Sequence, residues 1–403
     1  MSIFITIISL MRILLFILIV TIAYADGANW AVLVAGSNTY YNYRHQADVC
    51  HAYQIIHENN IPDSNIIVMM YDDIAHNSMN PYKGIIINQP GGPNVYKGVP
   101  KDYTRNHVNP KNFMAVLKGN QSAASGRVLQ SGPDDNVFIY FTDHGGPGLI
   151  CFPNEYLYSH DLIATLKYMH AHKKYKNLVF YLEACESGSM FNNILPKNMS
   201  IYALTAATPT EDSWACYLDN YLQTYIADCF SENWLMNSNS YENDANETLK
   251  EQFLIVRNET INSTACHYGQ NNMLQMPLGD FIIQNVTRHI RNKKTKIPKI
   301  VDAVNSKDIK LSTLTRLYAN SKNNKRLDNE IKHELESRKF YDNMFKEHYN
   351  QMKGSITGCY PNTTIDTYCL KRHIDGFESM YGKFSEYGMK YVSVLANMYC
   401  KTH

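Results

Sequence analysis

The chain has 403 residues, 45% of them hydrophobic and 19% charged, a mixture that excludes general disorder and leaves room for a large buried core. One large domain with a smaller appendage suits that length. Its 38 Lys and Arg nearly cancel 37 Asp and Glu, so any local run of charge is a feature of its segment and not of the whole.

Residues 3–25 are almost entirely apolar, interrupted by Arg12, and close on Ala23-Tyr24-Ala25, the small-x-small pattern of a signal-peptidase site. The expected reading is a secretory signal over 1–25, shorter if translation starts at Met11. The run is also long enough for a membrane anchor. No second run of that length occurs, so the mature protein is expected to be soluble, without a stable membrane span. Seven Asn-x-Ser/Thr acceptors, at Asn120, Asn198, Asn246, Asn258, Asn262, Asn285 and Asn362, fit the secretory route and a glycoprotein. Nine cysteines is an odd number, which leaves at least one without an intramolecular partner in an oxidising compartment.

Short β-branched and aromatic runs then recur: WAVLVAGS (30–37), IIVMMY (66–71), VFIYFTD (137–143), LVFYLEA (178–184) and SIYALTAA (200–207). Near-continuous apolar runs predict strands buried on both faces, hence a parallel sheet. Between them, 47–58 and 161–172 carry apolar residues at helical spacing, the second behind Ser159 as a candidate cap. The expected fold is α/β with crossover helices. The loop 77–103, rich in Pro, Gly and Asn, is expected at the surface. Its QPGGP lacks a following Gly-Lys-Ser/Thr and is no phosphate loop, and no CxxC with zinc spacing occurs, so neither cofactor nor metal is expected.

Residues 286–353 hold 17 Lys and Arg against 8 Asp and Glu, a net of +9, so the rest of a chain at +1 carries −8. Three readings stand: a solvated helical face, a nucleic-acid surface, or a basic element covering an acidic surface of its own chain. The second is the weakest, because no reading motif is present and the protein is exported; no nucleic-acid partner is expected.

The chemistry sits at strand ends, where open parallel sheets place their ligands. One strand ends in FTDHGGPG, with His144 at its tip, and the next in YLEAC, with Cys185 at its tip. Neighbouring strands would bring imidazole and thiol side by side. An imidazole that lowers the thiol's pKa makes it a nucleophile and can protonate the leaving amine. Gly145, lacking a side chain, can bring its N–H to an oxyanion, and the N–H of Cys185 suits the same task.

The motifs YNYRHQADVCHAYQ (41–54), MMYDDIA (69–75), GVPKDY (98–103), SGPDDNVFIYFTDHG (131–145) and EACESGSM (183–190) resemble the legumains, or asparaginyl endopeptidases. The likeness spans about 29–285 and resumes more weakly in CYPNTTIDTYC (359–369) and YVSVLANMYC (391–400), which are similar to the family's C-terminal prodomain. The resemblance implies a caspase-like α/β/α sandwich with a mostly parallel sheet over 26–290, a basic linker and activation segment over 291–330, and a helical prodomain over 331–403. It implies Cys185 as nucleophile, His144 as its partner, Asn42 as the support of that histidine, and an asparagine pocket of Arg44, Glu183, Ser213 and Asp228. A side-chain amide offers one acceptor and two donors, so a guanidinium opposite carboxylates is suited to hold it.

The implied activity is a cysteine endopeptidase cutting after Asn, and after Asp at lower pH, through a thioester acyl-enzyme. The implied partners are protein and peptide substrates, the chain's own prodomain as inhibitor, and cystatin-type inhibitors. The implied setting is the secretory pathway, ending in the lysosome, another acidic vesicle or the extracellular space, a gut lumen included. Activation is expected by acid and self-cleavage within RLYANSKNN (316–324), after Asn320, with Asn323 and Asn324 as alternatives. The chain ends one cysteine short of the family's prodomain. Among Cys359, Cys369 and Cys400 the expectation is one bridge, Cys359 to Cys400, and one free thiol. Ligation by the same acyl-enzyme and a catalytically silent glycoprotein of the same fold are the rival functions. A lipid-anchor transamidase shares the His-Gly and Cys pattern but is disfavoured by EACESGSM and by the lack of a C-terminal span.

Overall fold

Alternation of side chains along each strand puts one set of apolar residues on each face of the sheet, and both sets are covered. The structure is a computed structural model that describes residues 27–239, 247–284, 300–321, 324–352 and 358–402. The expected signal, with Asn246, Asn285, Asn323 and residues 285–299 of the basic segment, lies outside them. In chain order the strands of the main sheet and of the sheet beside it are β1 (Asn29–Ala35), β2 (Ile66–Met69), β3 (Asn136–Thr142), β4 (Asn177–Glu183), β5 (Ile201–Thr205), β6 (Trp214–Asp219), β7 (Thr224–Asp228), β8 (Cys266–Gly269) and β9 (Val304–Asn305). Six of them form the main sheet in the order β8-β5-β4-β3-β1-β2, parallel except for β8. The helices are α1 (Tyr43–Glu58), α2 (Pro110–Lys118), α3 (Ser159–Ala171), α4 (Cys229–Asn239) and α5 (Leu249–Glu259), then α6 (Ile309–Ala319), α7 (Lys325–Met352), α8 (Thr367–Tyr381) and α9 (Val392–Tyr399).

Leu33, Tyr140 and Tyr181 bury against Ile56 of α1, Trp234 of α4 and Phe253 of α5. Val34, Ile139 and Phe180, the alternate residues, bury against Phe113 of α2 and Leu166 of α3. The expected α/β/α sandwich is therefore present. A second sheet, β7-β6-β9, stands beside it and contains Asp228. The last three helices, α7, α8 and α9, make a smaller core around Tyr341, Phe345, Leu370, Phe377 and Tyr391, which also takes in Leu149, Cys151 and Tyr158 of the body, whereas Ile309 of α6 packs with Ala215 and Tyr225. No helix among the described residues is long and apolar enough to cross a membrane.

Four expectations need correction. The loop 77–103 is irregular as expected, yet Ile86, Asn88 and Val95 are buried, because Asn88 donates to Asp48 and to the carbonyl of Ile226 and ties the loop down. Ser159 is the first helical residue of α3 and not its cap, which is Tyr158. The bridges are Cys266–Cys359 and Cys369–Cys400, so Cys359–Cys400 does not form. Cys266, at the sheet edge, supplies the partner that counting within the last cysteines overlooked. Lastly, the described basic residues of 300–352 that form ion pairs do so mostly within their own segment, inside α7 as in Lys332–Asp328 and Arg338–Glu334 or between α6 and α7 as in Lys310–Glu334. The ion pair that crosses to the body is Lys307–Asp212. The described glycosylation acceptors Asn120, Asn198, Asn258, Asn262 and Asn362 are all exposed.

Candidate active site

Strands β3 and β4 pair in parallel with Thr142 beside Glu183, so the residues just beyond them leave the sheet together. How close the two tips come is set by Gly145: a Cβ there would lie 2.4 Å from the carbonyl oxygen of Cys185 and 3.0 Å from the Cβ of Ala184. Glycine is thus required by the approach of the two strand ends, whatever its N–H does. Gly145→Ala should push the tips apart, costing about 1–3 kcal/mol of stability by overpacking. A larger loss should appear in labelling of Cys185 by an Asn-based electrophile, read by mass spectrometry; labelling at the wild-type rate would show that the tip spacing is not needed.

His144 is buried and its Nε2 lies 2.9 Å from Asn42 Oδ1. The amide nitrogen of Asn42 donates to Asn38 O and Glu386 Oε1, so Oδ1 is the atom left to face the ring. An amide oxygen only accepts, which puts the ring hydrogen on Nε2 and the lone pair on Nδ1. That Nδ1 is buried without a hydrogen-bond partner. Cys185 Sγ receives the N–H of Ser213 at 3.3 Å, with Ser213 Oγ at 3.7 Å. Burial first, then Asp212, pushes this thiol up to about 12, so in this structure it is protonated.

The four expected pocket residues converge. Arg44, fully buried on α1, donates from Nε to Asp228 Oδ1 at 2.7 Å and from Nη1 to Asn42 Oδ1 at 3.3 Å. Its Nη2 has no partner, and neither has Glu183 Oε1. Glu183 Oε2 accepts from Ser231, and burial together with Asp228 raises the Glu183 pKa well above the usual range. Ser213 links pocket and thiol.

Sequence reasoning passed over three residues here. His45 wedges between Asp143 and Asp228 at 3.4 and 3.5 Å, kept neutral because burial and Arg44 push its pKa well down. It stood inside the quoted YNYRHQ, next to Arg44. Ser231 carried no signal. Glu386, from the C-terminal helical part, holds Asn42 at 2.7 Å and lies 3.6 Å from His144 Nε2. Over the crevice lie residues 304–307: β9 pairs with β6, and Lys307 Nζ reaches Asp212 Oδ1 at 2.5 Å.

A thiol and an imidazole at neighbouring tips of a parallel sheet, beside a pocket of buried charge, make up the equipment of a cysteine hydrolase. The chain matches the Peptidase C13 family over residues 29–293 and belongs to that family, so it is a cysteine endopeptidase. It is 42% identical over 398 residues to legumain of Homo sapiens, covering 92% of this chain and 89% of that protein. To the vacuolar-processing enzyme delta-isozyme of Arabidopsis thaliana it is 40% identical over 417 residues, covering 93% and 87%. Among solved structures, caspase-1 of Spodoptera frugiperda gives a TM-score of 0.37 at 9% identity, covering 64% of this chain and 92% of that one. The fold is assigned from the sheet order itself.

Proposed function

We propose that the chain is an endopeptidase that cuts after Asn, and after Asp as pH falls, with Cys185 as nucleophile and His144 Nδ1 as its base and acid. Asn42 orients His144, and the N–H groups of Gly145 and Cys185 receive the oxyanion. The observation that carries the specificity is the unpaired set in the pocket: one buried donor, Arg44 Nη2, and one buried acceptor, Glu183 Oε1. A carboxamide supplies an acceptor for the first and a donor for the second. A neutral Asp carboxyl does the same, whereas its ionised form would bring a bare charge into a buried pocket beside Asp228 and could offer no donor to Glu183 Oε1.

Matched peptides with Asn, Gln or Asp at the cleaved position test this. Asn should exceed Gln by about 10²-fold or more in kcat/KM, since a longer arm leaves buried polar groups unpaired. The Asp rate should rise as pH drops through the ordinary carboxylate range near 4. Equal rates for Asn and Gln, or an Asp preference that grows with pH, would overturn the assignment.

The same reading makes residues 300–402 an inhibitory cover; a cut at the exposed Asn320, at the end of α6, or at Asn324 separates the helices beyond it from the body, while the residues before the cut stay joined to the catalytic part. Such a precursor suits export to an acidic compartment. Glu386 bears on how acid acts. Burial raises its pKa, but His144 and Asn42 outweigh that and hold it at about 2. A carboxylate with a depressed pKa stabilises the docked state above its free value and loses that contribution only as pH falls toward 2. Asp212 is likewise held below its usual range, Lys307 outweighing burial. Acid near pH 5 therefore leaves these contacts standing, and release needs a break in the chain that acid alone does not make.

A further inference from the structure

Residues 304–307 trace how a peptide runs through the crevice. Val304 pairs with Ala215 and Asn305 with Trp214 in antiparallel register. The next N–H, of Ser306, donates to Ser213 O at 3.1 Å, and Ser306 Oγ lies 3.3 Å from Ser213 Oγ, at the pocket and beside the thiol. A strand added to a sheet edge takes its affinity from such backbone bonds and its selectivity from alternate side chains. Ser306 thus stands where the cleaved residue would sit, Asn305 before it and Lys307 after it. The strand ends at Asn305 and the chain enters a 3-10 turn over Ser306–Asp308, with the N–H of Lys307 donating to Asn305 Oδ1 at 2.9 Å, so the side chains of Asn305 and Lys307 meet across the turn. Both reach one residue: Asn305 Nδ2 donates to Asp212 Oδ2 at 2.8 Å and Lys307 Nζ to Oδ1 at 2.5 Å. Lys307 is only 4% exposed, a burial an ammonium tolerates when it is paired. Both Asp212 oxygens accept from residues 305 and 307, and both are free for a substrate once that segment has swung out of the crevice.

We propose that Asp212 is a specificity-determining residue of the cleavage reaction, selecting substrates with a basic residue directly after the cleaved bond. This rests on the Asn-peptidase reading above. A substrate lysine takes the place of Lys307 and makes the same charge-assisted bond in a crevice screened from water, while a glutamate there meets a like charge.

The test uses the full-length chain, incubated at acid pH with a thiol reductant, and three internally quenched peptides identical but for Lys, Ala or Glu after Asn. With the Ala peptide as reference in each protein, the wild type should favour Lys over Glu by about 10-fold or more in kcat/KM, and Asp212→Asn and Asp212→Ser should bring that ratio to within about twofold. Two variants guard against one that misfolds. A wild-type ratio near one, or a ratio unchanged in both variants, overturns the proposal while leaving Asn cleavage intact. If the wild type cuts none of the three peptides, the Asn-peptidase reading fails and takes this proposal with it.

Discussion

Cys185→Ala is expected to lose peptide hydrolysis by roughly 10⁴-fold or more while keeping the fold. The side chain is 1% exposed, and removing one sulfur from a packed site costs on the order of 1 kcal/mol, a small part of the stability of a sheet buried on both faces. Chemistry loses far more, since the other free thiols are buried in the cores: Cys50, Cys216 and Cys229 beneath the sheet, and Cys151, whose N–H donates to His144 O, in the C-terminal core. His144→Ala should be nearly as severe, and the double variant no worse than the single, because nucleophile and base act as one unit. Asn42→Ala should cost less, about 10- to 10²-fold, because Asn42 only fixes which ring nitrogen is free. A shifted pH profile in Asn42→Ala, with the melting temperature held, would mark that orienting role. Initial rates on an Asn peptide decide the series. Turnover by Cys185→Ala above about one hundredth of wild type would remove the thioester mechanism.

The parts of this site that could be read from the chain share a physical basis. His144 and Cys185 were legible because parallel strands announce themselves as apolar runs, and the residues just after such a run lie at the sheet's carboxyl edge. Gly145 was legible as a glycine in a tip, although the reason for it, the 2.4 Å approach of the Cys185 carbonyl, belongs to the pairing of two strands and not to either alone. The pocket residues were legible only through family resemblance. They come from a helix, two strands and a loop, and no local pattern joins Arg44 to Asp228, 184 residues away. Glu386 and Lys307 were not legible at all. Each is an ordinary charged residue in a helical or turn segment, and its partner is fixed by where the C-terminal helices dock. Charge counting suggested broad attraction between a basic segment and an acidic body, but several of those charges pair with the segment's own acids, as Arg326 with Glu330, Lys332 with Asp328 and Lys310 with Glu334. One buried pair, Lys307–Asp212, remains to bridge the two. Counting cysteines failed for a similar reason: the partner of Cys359 is in the sheet, 93 residues earlier.

That disulfide yields the last prediction. Cys266 is in β8, at the edge of the main sheet, and Cys359 stands beyond both Asn320 and Asn324. A cut after either asparagine breaks the chain between the two cysteines and leaves the halves covalently joined. Cys369–Cys400 lies wholly within the C-terminal piece and joins nothing across the cut. A tethered cover meets its own crevice at an effective concentration of order millimolar, so cutting alone should leave it mostly in place. Acid-treated wild type is therefore expected to run as one species on a non-reducing gel, heavier by one water in the mass spectrometer, and as two on a reducing gel. Before reduction its Cys185 should react slowly with an Asn-based electrophile; after reduction, at least about 10-fold faster. The double variant Cys266→Ser, Cys359→Ser removes the tether without leaving a spare thiol. Uncut, it should be less stable to unfolding, by up to about 4–5 kcal/mol if the closed loop acts through chain entropy. Once cut, it should separate and label rapidly with no reductant, in samples kept free of oxygen so that Cys185 stays a thiol. Two fragments from cut wild type on the non-reducing gel would show that the bridge does not hold the halves together. Equal labelling of cut wild type and cut double variant without reductant would show that the tether holds no cover over the site. The predicted order, cut first and reduce second, makes release of this enzyme depend on the redox state of the compartment as well as on the presence of an active copy to cut it.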